Sequence, residues 1–165
     1  MGNGSSAKPA PGHNKSQKGK GKVAQSGRAE WEPRQIKAFW DRYISHDKEF
    51  FFKVHMKSIK KSDQIGHILT GTHEGDSKWD ATHRIAGEMK EFFEQKIMKN
   101  IENYDVWRKH VYELGKRHAK YGTSKEKFQE VYFDVTAFTS IEVLQEGSTP
   151  PSASETFAWL SFMNK

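Results

Sequence analysis

The sequence predicts an all-α domain preceded by an unstructured tail. Beyond residue 31, apolar residues recur at spacings of three and four in several stretches, which is the period of one helix face. Candidate N-caps and helix-ending Gly or Pro residues separate these stretches. No stretch has a convincing strand pattern with a hairpin partner. We therefore expect six or seven helices and no sheet.

Residues 1–29 form the predicted tail. They are rich in Gly, Ser, Lys, Pro and Asn, and they contain six basic residues and no acid. Such a segment buries too little apolar surface to offset its ordering entropy, so we expect disorder. The net charge of +6 belongs to this tail, and the domain over residues 30–165 is neutral overall. A neutral domain argues against specific nucleic-acid binding.

The first half of the domain has three predicted helix starts. Pro33 fits the first turn of the first helix, and Asp47 is a candidate cap for the second. Residues 60–77 are expected to form a loop with at most one short helix. Ser77 is then the candidate cap of a long helix over residues 78–102.

The second half has three further predicted helices. Asp105 opens a helix that ends near Gly122, a residue type that suits the position after a helix. Residues 128–145 carry the next apolar stripe. Gly147 and two prolines then break the chain, and Ser154 begins a short last helix.

Several classes of chemistry lack sequence support. The chain has no cysteine, which excludes disulfides, thiolate metal sites and a cysteine nucleophile. Its eight histidines form no H-x-x-x-H pair, and no phosphate-binding loop or nucleophile elbow occurs. We therefore expect a protein that is not an enzyme. No apolar signal-peptide core or membrane-length run is present, which predicts an intracellular protein.

His118 has the setting of a metal ligand. Leu114 lies four residues before it, so both face the same way on a helix, and the Leu114 carbonyl is placed to accept from Nδ1. Gly115 leaves room for a flat ligand, and the helix is expected to stop soon after the histidine. The alternative is an ordinary hydrogen-bonded histidine at a helix end.

The pattern L-G-x-x-H-x-x-x-G over residues 114–122, followed by Phe128, resembles the proximal segment of a globin. The segment Ile36-x-x-Phe39-Trp40 resembles the first globin helix, and Ala158-Trp159 resembles the start of the last. The resemblance covers roughly residues 33–162 and is greatest to neuroglobin-like and nematode neuronal globins. It implies a globin fold, a 3-on-3 helical sandwich with a shortened last helix. It also implies haem b, with His118 as proximal iron ligand.

The resemblance makes His83 the candidate distal ligand, because it is the only histidine of the long helix. Its register is imperfect, since the residues that follow on its face are Gly87, Lys90 and Glu91. An alternative register puts Ile85 in the distal place, with no ligand. A helical bulge near Gly87 would reconcile the two. Otherwise His83 is a solvated histidine near the helix start.

The remaining predicted pocket residues are apolar or aromatic. Met89 is a wall residue or a thioether ligand. Ile68 or Leu69 replaces the phenylalanine that globins place against the haem. The expected haem pocket is lined by Leu114, Ile85, Met89, Phe93, Phe128, Leu69, Tyr121 and Phe52.

The amino terminus matches the N-myristoylation pattern M-G-x-x-x-[ST], with Gly2 as the acceptor after removal of Met1. One acyl chain binds membranes only marginally, and the lysines that follow supply a second attraction to anionic lipid. These features predict a location at the cytoplasmic face of a membrane. The alternative is an idle linker.

Two function hypotheses follow. The first is a membrane-tethered haem globin that senses O₂ or another diatomic gas, or that exchanges electrons with a redox partner. The second is a haem-free, globin-like, lipid-anchored interaction module. Whether the iron would be five- or six-coordinate depends on His83.

Overall fold

The computed structural model describes residues 1–2, 31–70, 77–120 and 130–164. Within these ranges the chain contains seven α-helices and no strand, which confirms the all-α prediction. None of the described helices has the length and apolar content needed to cross a bilayer. The helices are α1 (Pro33–Tyr43), α2 (Phe50–Lys61), α3 (Asp63–Thr70), α4 (Lys78–Phe92), α5 (Tyr104–Lys120), α6 (Glu130–Gln145) and α7 (Ala153–Met163).

The helix starts follow local capping chemistry. Ser77 is the N-cap of α4 as predicted, and its side chain accepts from the backbone N–H of Asp80 at 3.1 Å. The last helix starts earlier than predicted. Its cap is Ser152, whose hydroxyl and backbone N–H exchange hydrogen bonds with Glu155 in a capping box. Ser154 therefore lies inside the first turn of α7.

Two other expectations need correction. Asp47 does not cap α2, because the N-cap is Glu49, and the Asp47 carboxylate instead accepts from the Glu49 N–H at 2.9 Å. The region over residues 60–77, expected to be a loop with at most one short helix, contains the short helix α3, which agrees with the expectation. The long helix predicted over 78–102 ends as an α-helix at Phe92 and continues as a π-helical turn over Phe93–Ile97 and a 3₁₀ turn over Met98–Asn100.

α2 packs between α4 and α6, α3 leans on α2 and α4, and α7 packs against α1 and α6. Large aromatic side chains fill the centre. Trp40 stacks on Phe93 with ring centroids 5.9 Å apart, and Trp159 stacks on Phe39 at 5.0 Å. The buried Trp159 indole N–H donates to the Ser140 hydroxyl at 2.9 Å, so its polar group is satisfied. These contacts join α1, α6, α7 and the π turn in one core.

Lys90 joins α4 to the turn between the first two helices. Its Nζ donates to the backbone carbonyls of Ser45 at 3.0 Å and Asp47 at 2.9 Å. The apolar stem is partly buried, while the ammonium adds a donor to two backbone carbonyls of the turn between α1 and α2.

α5 differs from the other long helices in its packing. Its main contacts within the described residues are with the turns over residues 93–100. Trp107 in its first turns is buried against Trp31 and Phe162, with ring centroids 6.3 and 6.1 Å away. Further along, Val111 and Tyr112 are exposed. Within the described residues, α5 therefore packs against the rest of the fold mainly at its N-terminal end.

His55 is a buried histidine at the contact between α2 and α4. It is 4% exposed, and its Nδ1 has no hydrogen-bond partner among the described residues. Burial lowers the pKa of His55 to about 4, and a hydrogen bond with the Thr82 backbone opposes this only in part. The ring is therefore neutral near pH 7.

Because its pKa lies below that of an unfolded histidine, His55 should make the fold sensitive to acid. The unfolded chain binds this proton first as the pH falls below about 6.5. The free energy of unfolding should therefore drop between pH 6.5 and 4, by about 3 kcal/mol for a shift from 6.5 to about 4. Urea unfolding of the parent and of His55→Leu across this range measures the effect. The variant should lose this part of the pH dependence, whereas the exposed-site control His46→Gln should keep it. Equal pH slopes in parent and His55→Leu would contradict the assignment.

Candidate functional site

His118 lies in the last turn of α5 and makes the hydrogen bond expected from its spacing. Its Nδ1 is 2.9 Å from the carbonyl oxygen of Leu114, one turn earlier. A carbonyl only accepts, so Nδ1 carries a proton, and in the neutral ring Nε2 then carries the lone pair. This is the tautomer that a histidine needs in order to bind a metal through Nε2. His118 is exposed and Leu114 is half-buried.

The same face of α5 is apolar. At about 100° per residue, Trp107, Val111 and Leu114 lie within one quarter of the helix circumference around His118. Exposure along this face rises from the buried Trp107 to Val111, which is 44% exposed. Within the described residues, this apolar face is therefore covered at Trp107 and only partly covered at Val111 and Leu114, beside His118.

His83 lies near the start of α4 and is held against α2. Its ring stacks on Phe52 with centroids 3.8 Å apart, and Trp79 contacts both rings, at 5.3 Å from His83 and 4.5 Å from Phe52. Its Nε2 is 3.8 Å from a carboxylate oxygen of Glu49, a contact that becomes an ion pair only when the ring is protonated. The side chain is 40% exposed. Two of the predicted site residues, Phe52 and His83, are thus brought together.

The predicted wall residues of α4 do not share the face of His83. Because α4 is a regular helix through Phe92, Ile85 and Met89 point away from His83, which shares its face with Gly87 and Lys90. Ile85 and Met89 are half-buried, and Met89 packs against the core. The half-buried ring of Phe93 contacts Trp40, Phe51 and Trp159 and is therefore part of the aromatic core.

The bulge expected near Gly87 is not there. The helix widens instead at the π turn over Phe93–Ile97, after both candidate distal positions. A π turn contains one residue more than an α turn, so it rotates everything beyond it by about 100° relative to α4. It changes how α4 joins α5, but it does not bring His83 and Met89 onto one face.

Some of the remaining predicted site residues lie outside the described residues. Tyr121 and Phe128 lie outside the described residues, as does the side chain of Leu69. Gly2 lies in the described residues 1–2 and is exposed. Gly115 lies on an open surface of α5, where an added Cβ would meet no atom within 4 Å.

Sequence reasoning missed two groups near this site. His55 lies on the buried face of α2 one turn after Phe51. This spacing from an apolar core residue could have predicted its burial. Glu49 and Trp79, which flank His83, gave no signal, because their proximity depends on how α2 crosses α4.

Comparison with known proteins adds no relative: the chain matches no protein-family model, no curated protein and no solved structure. The function of the site therefore has to be inferred from the contacts of this chain.

Proposed function

We propose that this chain is a haem-binding globin, tethered to the cytoplasmic face of a membrane, that senses O₂ or redox state or transfers electrons. It acts by binding and electron exchange rather than as an enzyme. The observation that carries the proposal is the 2.9 Å contact between His118 Nδ1 and the Leu114 carbonyl. It lies within the globin-like pattern of residues 114–122, beside the exposed Val111 and the half-buried Leu114.

The residues of the chain fit a haem group in two respects. A histidine with its Nδ1 proton directed to a backbone carbonyl is the usual proximal donor. The exposed Val111 and the half-buried Leu114 offer some apolar surface to a flat macrocycle beside His118. When bound, haem would supply an iron centre that exchanges an electron or takes up a diatomic gas.

The chain's own groups would then have distinct roles. The Leu114 carbonyl would fix the ring orientation of His118 through the hydrogen bond at Nδ1. Phe52 and Glu49 hold His83 against α2, so any role as a sixth ligand requires His83 to leave this stack. The balance between the two positions of His83 would determine whether gas binding or electron transfer dominates.

The membrane tether of the proposal rests on the amino terminus. Gly2 supplies the acyl site, and the six basic residues of the tail supply the attraction to anionic lipid that a single chain needs. Storage or transport of a gas gains nothing from a membrane anchor, whereas sensing or electron exchange with a membrane partner does.

Absorption spectra of the purified full chain with added haem test the central proposal. We expect a Soret band in the ferric and ferrous forms. A ferrous spectrum with sharp split bands that resist carbon monoxide would indicate a six-coordinate iron with His83 as the sixth ligand. In that case His83→Ala should abolish the split bands. A broad ferrous band that converts on adding carbon monoxide would assign an open distal site.

His118→Ala should eliminate the Soret band while the far-ultraviolet circular dichroism stays helical. His110→Ala is the matched control, because it removes a half-buried histidine from the same helix and should leave the band in place. Haem binding that survives His118→Ala would remove this residue from the proposal. Failure of the parent to bind haem at all would leave the haem-free interaction module.

Gly115 and Gly87 form a matched pair for locating the macrocycle. Both are exposed residues inside helices, and an added Cβ at either meets no atom. Alanine should therefore raise the free energy of unfolding of the apoprotein by about 0.5–1 kcal/mol at each site. Only Gly115→Ala should weaken haem binding, by about tenfold, because the methyl would intrude on a packed ligand. Equal haem affinity in the two variants would place the macrocycle elsewhere.

Gly2→Ala should release the protein from membranes, since acylation requires the Gly2 amine and the basic tail alone gives weak, salt-sensitive attachment. Fractionation of cells that express the full chain measures this. Gly4→Ala leaves the acylation pattern intact and should stay on membranes. If Gly2→Ala remains membrane-bound like the parent, the tether is not an acyl chain.

A further inference from the structure

An open cleft of about 420 Å³ lies between the first turns of α1 and the turns that lead into α5. At ~30 Å³ per water molecule, it has room for about a dozen waters, which is enough for a phosphate group with an organic substituent. It is separate from His118 and His83. Its lining residues are Arg34, Lys37, Met98, Lys99, Asn100, Ile101, Glu102 and Asn103.

Cations dominate the rim of this cleft. Arg34, Lys37 and Lys99 oppose a single lining carboxylate, that of Glu102. The lining therefore has an excess of positive charge, reduced by Asp41, which pairs with Lys37, and a recess with such an excess attracts counter-ions more strongly than a flat surface does. The neutral domain as a whole has no such bias, so the cleft is a local positive feature.

The present partners of these cations are exposed and exchangeable. Arg34 Nε is 3.4 Å from a Glu102 oxygen, with both side chains exposed, and Lys37 contacts Asp41 one turn along α1. Lys99 donates to the side-chain oxygen of Gln95. Surface pairs of this kind contribute little net free energy, so an incoming anion can replace them at low cost. A phosphate would offer the arginine fork a bidentate partner.

The floor of the cleft is apolar and its walls include neutral amides. Met98 and Ile101 are buried beneath it, and Asn100 and Asn103 line it. Cations around an apolar floor suit a phosphate that carries an organic group better than a small free anion, which would leave the floor in contact with water.

The cleft lies beside the point where the chain enters the domain. Trp31, three residues before Arg34, is fixed against Trp107 and Phe162. The basic, acylation-competent tail precedes it directly in the sequence. A tether attached at this edge brings the cleft within reach of the surface to which the tail binds.

We propose that this cleft binds the phosphate headgroup of an anionic lipid and so orients the domain on the membrane. The choice of a lipid rather than a free phosphate compound rests on the membrane tether of the proposed function. The anion site itself depends only on the cleft and its charges.

The test uses the full chain carrying Gly2→Ala, so that no acyl chain dominates the binding. Partition onto phosphatidylcholine vesicles with and without phosphatidylserine is compared for this parent and for Lys37→Gln/Lys99→Gln. Each cation near an anionic surface contributes about fivefold, so the double variant should bind about thirtyfold less strongly. Glu102→Gln should bind more tightly, by a few fold, because it removes the opposing charge. The control Lys48→Gln/Lys60→Gln removes two exposed charges outside the cleft and should have a much smaller effect.

A second arm distinguishes the source of the phosphate. Titration with inorganic phosphate should shift the backbone amide NMR signals of residues 98–103, and Lys37→Gln/Lys99→Gln should abolish the shifts. Phosphate shifts without a vesicle effect would overturn the lipid assignment in favour of a soluble phosphate compound. Equal losses in the cleft and control variants, or no shift at residues 98–103, would overturn the site. Haem spectra of the same samples separate these outcomes from any failure of the globin proposal.

Discussion

The position of α5 depends on one aromatic contact, the burial of Trp107 between Trp31 and Phe162. These three side chains come from the segment before α1, from α5 and from α7, so their packing joins distant parts of the chain. The buried indole N–H groups of Trp31 and Trp107 have no partner among the described residues. Leaving such a group unsatisfied costs about 1–3 kcal/mol. Burial of two indoles exceeds this cost, since truncating one buried tryptophan typically costs about 3–5 kcal/mol.

Local geometry determined how much could be predicted from the sequence. The Ser77 cap and the His118–Leu114 hydrogen bond both depend on helix spacing, and both occur as expected. The predicted start of α7 at Ser154 is wrong by two residues. Only Ser152 has a glutamate three residues later, Glu155, which completes a capping box.

The features that escaped prediction depend on tertiary contacts. The apolar stripe of the long helix continues through Phe93, so its period gave no warning of the π turn. The stacking of His83 on Phe52 depends on how α2 crosses α4, which no spacing along either helix determines. His83 could therefore be proposed as a candidate ligand from the sequence, whereas its stacking on Phe52 could not be predicted.

The sparse packing of α5 beyond Trp107 has a thermodynamic consequence. A segment with few buried contacts opens locally at a lower free energy than the core does. A ligand that binds only the packed state of α5 can bind only the molecules in which α5 is packed. Its apparent dissociation constant is therefore the intrinsic constant divided by the packed fraction. By mass action the same ligand raises the stability of α5 as its concentration exceeds the dissociation constant. Ligand occupancy and order in α5 are therefore linked, and a partner that contacts this helix could detect the ligand without touching it.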